Sequence, residues 1–265
     1  KVNFKKLKKF KKFKNIIVIG LGGSSLGAMA IYSLFEEKIK KNVIFLNSLD
    51  INKIKEVNST KGKNSLFLII SKSGETLEVL TNINYLNNIN FNKSNTIIIT
   101  EKKNNSLYKF SKRKKIELVE HNKFIGGRYS VLSEVGMLPS ELMGLNPKKF
   151  RQLNSLVNNK KFLNGLVANV GSILFFLKKK KFNSIILNYD EKSDNLFKWY
   201  QQLVAESLGK KKTGLLPIIS SVPKDNHSLM QLYLDGFQNN FFTFFYVNEN
   251  NSLKINNNQL LPSKK

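Results

Sequence analysis

The 265-residue chain contains no cysteine, so it can form neither a disulfide nor a thiolate metal site. It has no run of about 18 apolar residues of the kind that spans a membrane. The basic start KVNFKKLKKFKKFK is followed by no signal-peptide core and cleavage site. A cytoplasmic protein without a membrane partner is the expectation. The chain has no initiator Met and reads as a fragment. Arginine is nearly as scarce as cysteine, with only Arg113, Arg128 and Arg151 present, so the net charge of +26 is almost all lysine. A chain this basic attracts polyanions at low salt, but arginine is the residue enriched where phosphates are gripped bidentately. Lys, Asn, Ile and Phe are enriched together and all have A/T-rich codons, so coding composition accounts for the bias. No specific nucleic-acid partner is expected. What survives is a field that steers anionic ligands inward.

With 41% hydrophobic residues the chain can bury one large core or two ordinary ones. Short continuous apolar runs at 15–19, 43–46, 65–70, 96–99 and 116–119 alternate with helical patterns. This is the signature of a doubly wound parallel sheet with right-handed crossovers. Near Leu145-Asn146-Pro147 the pattern changes to helices at about 148–158 and 161–178. Strand–helix alternation then restarts at 182–187, 214–219 and 241–247. The expected organisation is α/β, with two doubly wound parallel-sheet domains, 1–145 and 146–265, the second apparently truncated. In the basic leader, Phe4, Leu7, Phe10 and Phe13 recur at helical spacing and predict an amphipathic helix docked on the first domain. Ser193 is placed to cap a helix over 194–208 that Gly209 ends.

Two polar loops fall beyond the carboxyl ends of strands, where open parallel sheets bind ligands. Gly20-Leu21-Gly22-Gly23-Ser24-Ser25-Leu26-Gly27 is a glycine-rich turn between a strand and a helix. As a dinucleotide fingerprint it is weak, because no acidic residue clearly ends the next strand to hold a ribose. Ser71-Lys72-Ser73-Gly74-Glu75-Thr76 gathers three hydroxyls and several N–H groups at a helix start, which favours an anion, although Ser and Thr also serve there as ordinary caps. Arg128, between a glycine pair and an apolar segment, is either a structural ion-pair partner or a group needed for its permanent charge. Gln202 and Glu206 share a helix face at i and i+4. Glu206 lies near the helix C-terminus, where a carboxylate opposes the dipole and is either solvated or held for a purpose. His227, at a helix start, fits a structural role or proton transfer.

GLGGSSLG, SKSGET, GGRYSVLSEVGMLP, QQLVAESLGK and NHSLMQLYLDG occur in that order. Together they resemble the glucose-6-phosphate isomerase family, built from two sugar-isomerase (SIS) domains, over about Ile16 to Gly236. The resemblance implies interconversion of glucose 6-phosphate and fructose 6-phosphate through a cis-enediolate, with neither cofactor nor metal. It places Gly23 and Ser24 at a sugar-contacting turn, and Ser71, Lys72, Ser73 and Thr76 at the loop for the 6-phosphate. Arg128 falls beside the reacting carbons, Gln202 at a substrate contact and Glu206 at the proton-transferring base. His227 matches a histidine that assists ring opening, supplied in the family by the partner subunit of a homodimer. Glu75 departs from the family pattern and is expected to point away from the anion. The family's further catalytic lysine has no match up to Lys265, and Lys264 and Lys265 are not assigned to it. A non-catalytic SIS module that binds sugar phosphate is the alternative.

Overall fold

The computed structural model describes residues 7–61 and 64–248; Phe4, Lys264 and Lys265 lie outside the described residues. The chain is built around two parallel sheets. The first contains β1 (Asn15–Ile19), β2 (Asn42–Leu46), β3 (Ser65–Ile70), β4 (Thr96–Thr100) and β5 (Glu117–Glu120), in the order β2-β1-β3-β4-β5. The second contains β6 (Asn183–Asn188), β7 (Leu216–Ser221) and β8 (Asn240–Phe245), in the order β7-β6-β8. All pairings are parallel, with Val18 opposite both Phe45 and Leu68, and Ile186 opposite both Ile219 and Thr243. The helices of the first half are α1 (Leu26–Phe35), α2 (Ile51–Glu56), α3 (Leu77–Tyr85), α4 (Ser106–Arg113) and α5 (Glu134–Leu142).

The central strand explains why its sequence is continuously apolar. All six residues of β3 are buried. Successive side chains of a strand point to opposite faces, and each face has its own core. On one face Ile16, Val18, Leu66, Leu68, Ile70, Ile97 and Ile99 pack with Val135, Leu138 and Leu142 of α5. On the other, Ile17, Ile19, Phe67, Ile69 and Ile98 pack with Val79, Leu86, Phe91 and Leu107.

Three expectations about helices need correction. The leader docks as expected, with Leu7 and Phe10 buried, but residues 8–12 form a 3₁₀ turn instead of an α-helix. The shorter turn suffices to insert the two side chains, while Lys41 Nζ donates to the carbonyls of Lys11 and Phe13 at 2.7 and 2.9 Å. The segment expected to be helical over 148–158 divides into α6 (Pro147–Phe150) and a 3₁₀ stretch over 151–158. Ser193 occupies the N-cap position of α8 (Asp194–Leu208) but makes no side-chain cap bond. Its hydroxyl donates to Asp190 Oδ2 at 2.5 Å, while Asp194 accepts from Asn188 Nδ2 at 2.7 Å.

In chain order α7 (Lys160–Lys178) precedes β6, and after β7 come α9 (Lys224–Ser228) and α10 (Met230–Asp235). None of the residues of α7 is buried. Among the described residues it is the one helix that passes, by length and composition alone, as long and apolar enough to cross a membrane. Its apolar side chains Val170, Leu174 and Leu177 border a groove of about 940 Å³ shared with Tyr200, Val204 and Leu208 of α8.

Because Phe10 is fully buried, Phe10→Ala should lower unfolding free energy by about 3–5 kcal/mol in urea titrations, as large aromatic deletions in cores do. A leader lying loosely on the surface would change stability by less than about 0.5 kcal/mol.

Candidate active site

The carboxyl ends of β1, β3 and β4 open onto a pocket of about 350 Å³. It is lined by Leu21, Gly23, Ser24, Lys72, Ser73, Thr76, Glu101, Lys103, Gly127, Arg128, Gln202 and Glu206. Eight of the ten residues selected from the sequence therefore meet in one cavity. Ser71 and His227 are not among its lining residues.

Backbone approach assembles the rim. Gly22 adopts φ +52°, and a Cβ there would lie 2.9 Å from the Gln202 amide nitrogen. A Cβ on Gly23 would lie 2.3 Å from the carbonyl carbon of Gly127. Only glycine lets the turn after β1 touch both α8 and the 126–128 segment. The hydroxyl of Ser130 reinforces the contact by donating to the carbonyls of Gly127 at 2.6 Å and Gly23 at 3.3 Å.

The hydroxyl loop after β3 is organised from within. Ser71, buried behind the rim, bonds Thr76 Oγ1 at 2.7 Å and accepts the Gly74 N–H at 3.1 Å. Ser73 Oγ accepts the Glu75 N–H at 3.1 Å. Thr76 stands at the N-cap of α3 without a side-chain cap bond, so simple capping does not account for its hydroxyl. Ser71 shapes the loop, while Ser73 and Thr76 line the cavity. Lys72 also lines it, but its ammonium donates to the carbonyls of Lys123 and Ile125 at 3.0 and 2.9 Å. That leaves its backbone N–H as the group to offer an anion. Glu75 accepts from the N–H and hydroxyl of Ser106 at 2.6 and 2.7 Å, at the start of α4 and outside the pocket lining. The Ser106 hydroxyl and then its N–H hold the Glu75 carboxyl below its ordinary range.

Arg128 and Glu206 form the opposite side. Arg128 Nη1 donates to Glu206 Oε1 at 2.7 Å, and Gln202 Nε2 donates to Glu206 Oε2 at 3.2 Å. The carboxylate near the helix C-terminus is thus held in place, which offsets its unfavourable position in the dipole. Oε1 of Gln202 is buried and has no partner among the described residues. Trp199 Nε1 donates to the Arg128 carbonyl at 2.9 Å, fixing the backbone that presents the guanidinium. Hydrogen bonding to Tyr129 first, and then the charge of Glu206, raises the Arg128 pKa further, so it stays cationic.

Four lining residues, Leu21, Glu101, Lys103 and Gly127, escaped selection from the sequence. Glu101 and Lys103 follow β4, and the same carboxyl-end rule that marked the loops after β1 and β3 applies to them. Lys103 Nζ lies 2.6 Å from Glu101 Oε2, with Lys72 Nζ 3.7 Å from Oε1. The Lys103 bond is the main reason the Glu101 carboxyl sits below its ordinary range. His227 lies exposed on α9.

The chain is thus a parallel α/β protein with a glycine turn, a hydroxyl loop and a paired carboxylate and guanidinium gathered at its strand ends. In overall fold the chain is similar to a hypothetical protein from Thermus thermophilus, with a TM-score of 0.75 and 24% identity over 91% of this chain and 62% of that one. It is likewise similar to a glucose-6-phosphate isomerase from Chlamydia trachomatis, with a TM-score of 0.73 and 20% identity over 90% of this chain and 50% of that one. The family model described as phosphoglucose isomerase matches residues 4–221, and the chain belongs to that family. A glucose-6-phosphate isomerase of Methanocaldococcus jannaschii is 33% identical over 250 residues. The match covers 91% of this chain and 62% of the relative's length, so the chain spans less than two thirds of that relative.

Gly23→Ala should displace the 126–128 segment and disorder the rim. The expected outcome is a changed fluorescence of Trp199, the one tryptophan in the chain, whose indole N–H donates to the Arg128 carbonyl, alongside a small loss of stability, since the clash is local to the site.

Proposed function

We propose that the protein interconverts glucose 6-phosphate and fructose 6-phosphate. The observation that carries this reading is the sharing of one cavity by the Glu206–Arg128 pair and the hydroxyl loop of Ser73 and Thr76. An aldose–ketose shift needs a base that takes a proton from the carbon beside a carbonyl and returns it to the neighbouring carbon. Glu206 serves in both directions, moving the proton between C2 and C1. The intervening cis-enediolate carries negative charge on oxygen, and the Arg128 guanidinium meets it with a charge that cannot be lost. Gln202, which lines the cavity and donates to Glu206 Oε2 at 3.2 Å, contacts the sugar beside the base.

The phosphate lies at the other end, on Ser73 and Thr76 and on the backbone N–H of Lys72, in a loop that Ser71 holds in shape. Gly23 and Ser24 border the sugar between the two ends. Anchoring the phosphate orients the C1–C2 bond against Glu206, so remote binding energy assists the chemistry. Lys103 adds charge at the anionic end and neutralises Glu101, which would otherwise repel the ligand. His227, exposed on α9, acts in this reading from the partner subunit of a homodimer, where it assists ring opening.

The test is turnover from either sugar phosphate by the purified protein. Glu206→Gln should lower kcat by at least about 100-fold, the lower range for loss of a general base. Its Kd for glucose 6-phosphate, measured by calorimetry, should change less than about threefold, because the anion is held elsewhere. Undiminished turnover removes Glu206 as the base, and binding without turnover in the unmodified protein favours the non-catalytic SIS reading. Lys103→Ala should weaken glucose 6-phosphate binding by about tenfold, the size of a charge-assisted hydrogen bond, while leaving weak binding of unphosphorylated glucose unchanged.

A further inference from the structure

An arginine can stabilise a developing oxyanion only while its guanidinium keeps its plane, because its donors form a rigid fork. Two adjacent residues of α8 set that plane. Arg128 Nε donates to Ser207 Oγ at 2.8 Å, and Nη1 donates to Glu206 Oε1 at 2.7 Å. The guanidinium lies over the Tyr129 ring, whose centre is 4.7 Å from Arg128 Cζ. The Tyr129 hydroxyl is itself 2.8 Å from the same Ser207 oxygen.

The two anchors are not equivalent. Glu206 accepts the substrate proton in the proposed reaction, and on doing so loses its charge and most of its hold on Arg128. The enediolate needs the guanidinium at that same moment. Ser207 does not titrate in this range and takes no part in proton transfer, so its bond to Nε persists. A serine hydroxyl has one proton and two lone pairs. It accepts from Arg128 and still bonds Tyr129, which holds the serine rotamer in turn.

We infer that Ser207 is a positioning residue that keeps Arg128 in register while Glu206 releases it, with Tyr129 fixing the orientation of the serine hydroxyl. This inference rests on the isomerase reading for its catalytic consequence, but its structural part can be measured independently. The chain has only three arginines, so its Nε–H groups give three signals in a nitrogen-15 NMR spectrum.

The experiment compares Ser207→Ala, Ser207→Cys and Ser207→Thr in the purified protein. One arginine Nε–H should exchange slowly in the unmodified protein, lose that protection in the Ala and Cys variants, and regain it in the Thr variant. In parallel, Ala and Cys should lower kcat by about tenfold with KM within about twofold, while Thr stays within about threefold of the unmodified enzyme. Cys matches Ser closely in shape but is a poor acceptor, so it separates hydrogen bonding from packing. An unmodified kcat or a retained slow Nε–H in the Cys variant overturns the inference. If the unmodified protein does not turn over sugar phosphate, the isomerase reading fails, and the Nε–H measurement still decides whether Ser207 holds Arg128.

Discussion

The site depends on the approach of the segment around Arg128 to the far end of α8, across 78 residues of sequence. Long side chains could have met over a gap, but here the backbones are brought close first. Gly23 allows the turn after β1 to touch Gly127, Gly22 allows it to touch Gln202, and Trp199 holds the Arg128 carbonyl. Arg128 and Glu206 then need only ordinary reach to form a 2.7 Å ion pair. A salt bridge with a half-exposed carboxylate contributes little to stability. Its importance lies in geometry, since it keeps a carboxylate and a guanidinium together at one wall of a cavity.

The opposite wall follows a different logic. The hydroxyl loop is stiffened by its own hydrogen bonds, with Ser71 as the internal brace, and its cations are already engaged. Lys72 is tied to two carbonyls, while Lys103 pairs with Glu101. The high lysine content therefore does not translate into a pocket crowded with free ammonium groups. Most of the +26 charge lies outside the pocket lining, and from there it attracts anions in general at low salt.

The architecture is legible in the sequence because each of its signals is local. Continuous apolar runs mark strands buried on both faces, as Leu66–Ile70 shows, and the carboxyl-end rule then places the loops after β1 and β3 at one end of the sheet. The leader's apolar spacing predicts docking correctly and an α-helix wrongly, because the separation of Leu7 and Phe10 fits either type of turn. Ser193 departs from its expected cap bond for a related reason: a serine at a helix start has several acceptors within reach, and Asp190 is the one it uses.

Sequence by itself determined the parallel-sheet class, the two polar loops at the strand ends and, through five ordered motifs, a family resemblance that the comparisons bear out. Tertiary structure alone decided which of those residues face the cavity. It put Ser71 behind the rim, turned Glu75 toward Ser106, left His227 outside the lining, and added Glu101 and Lys103 from the end of β4. It also made Ser207 a partner of Arg128. These outcomes turn on side-chain directions set by segments far apart in the chain, and spacing along one segment carries no information about what another brings opposite it.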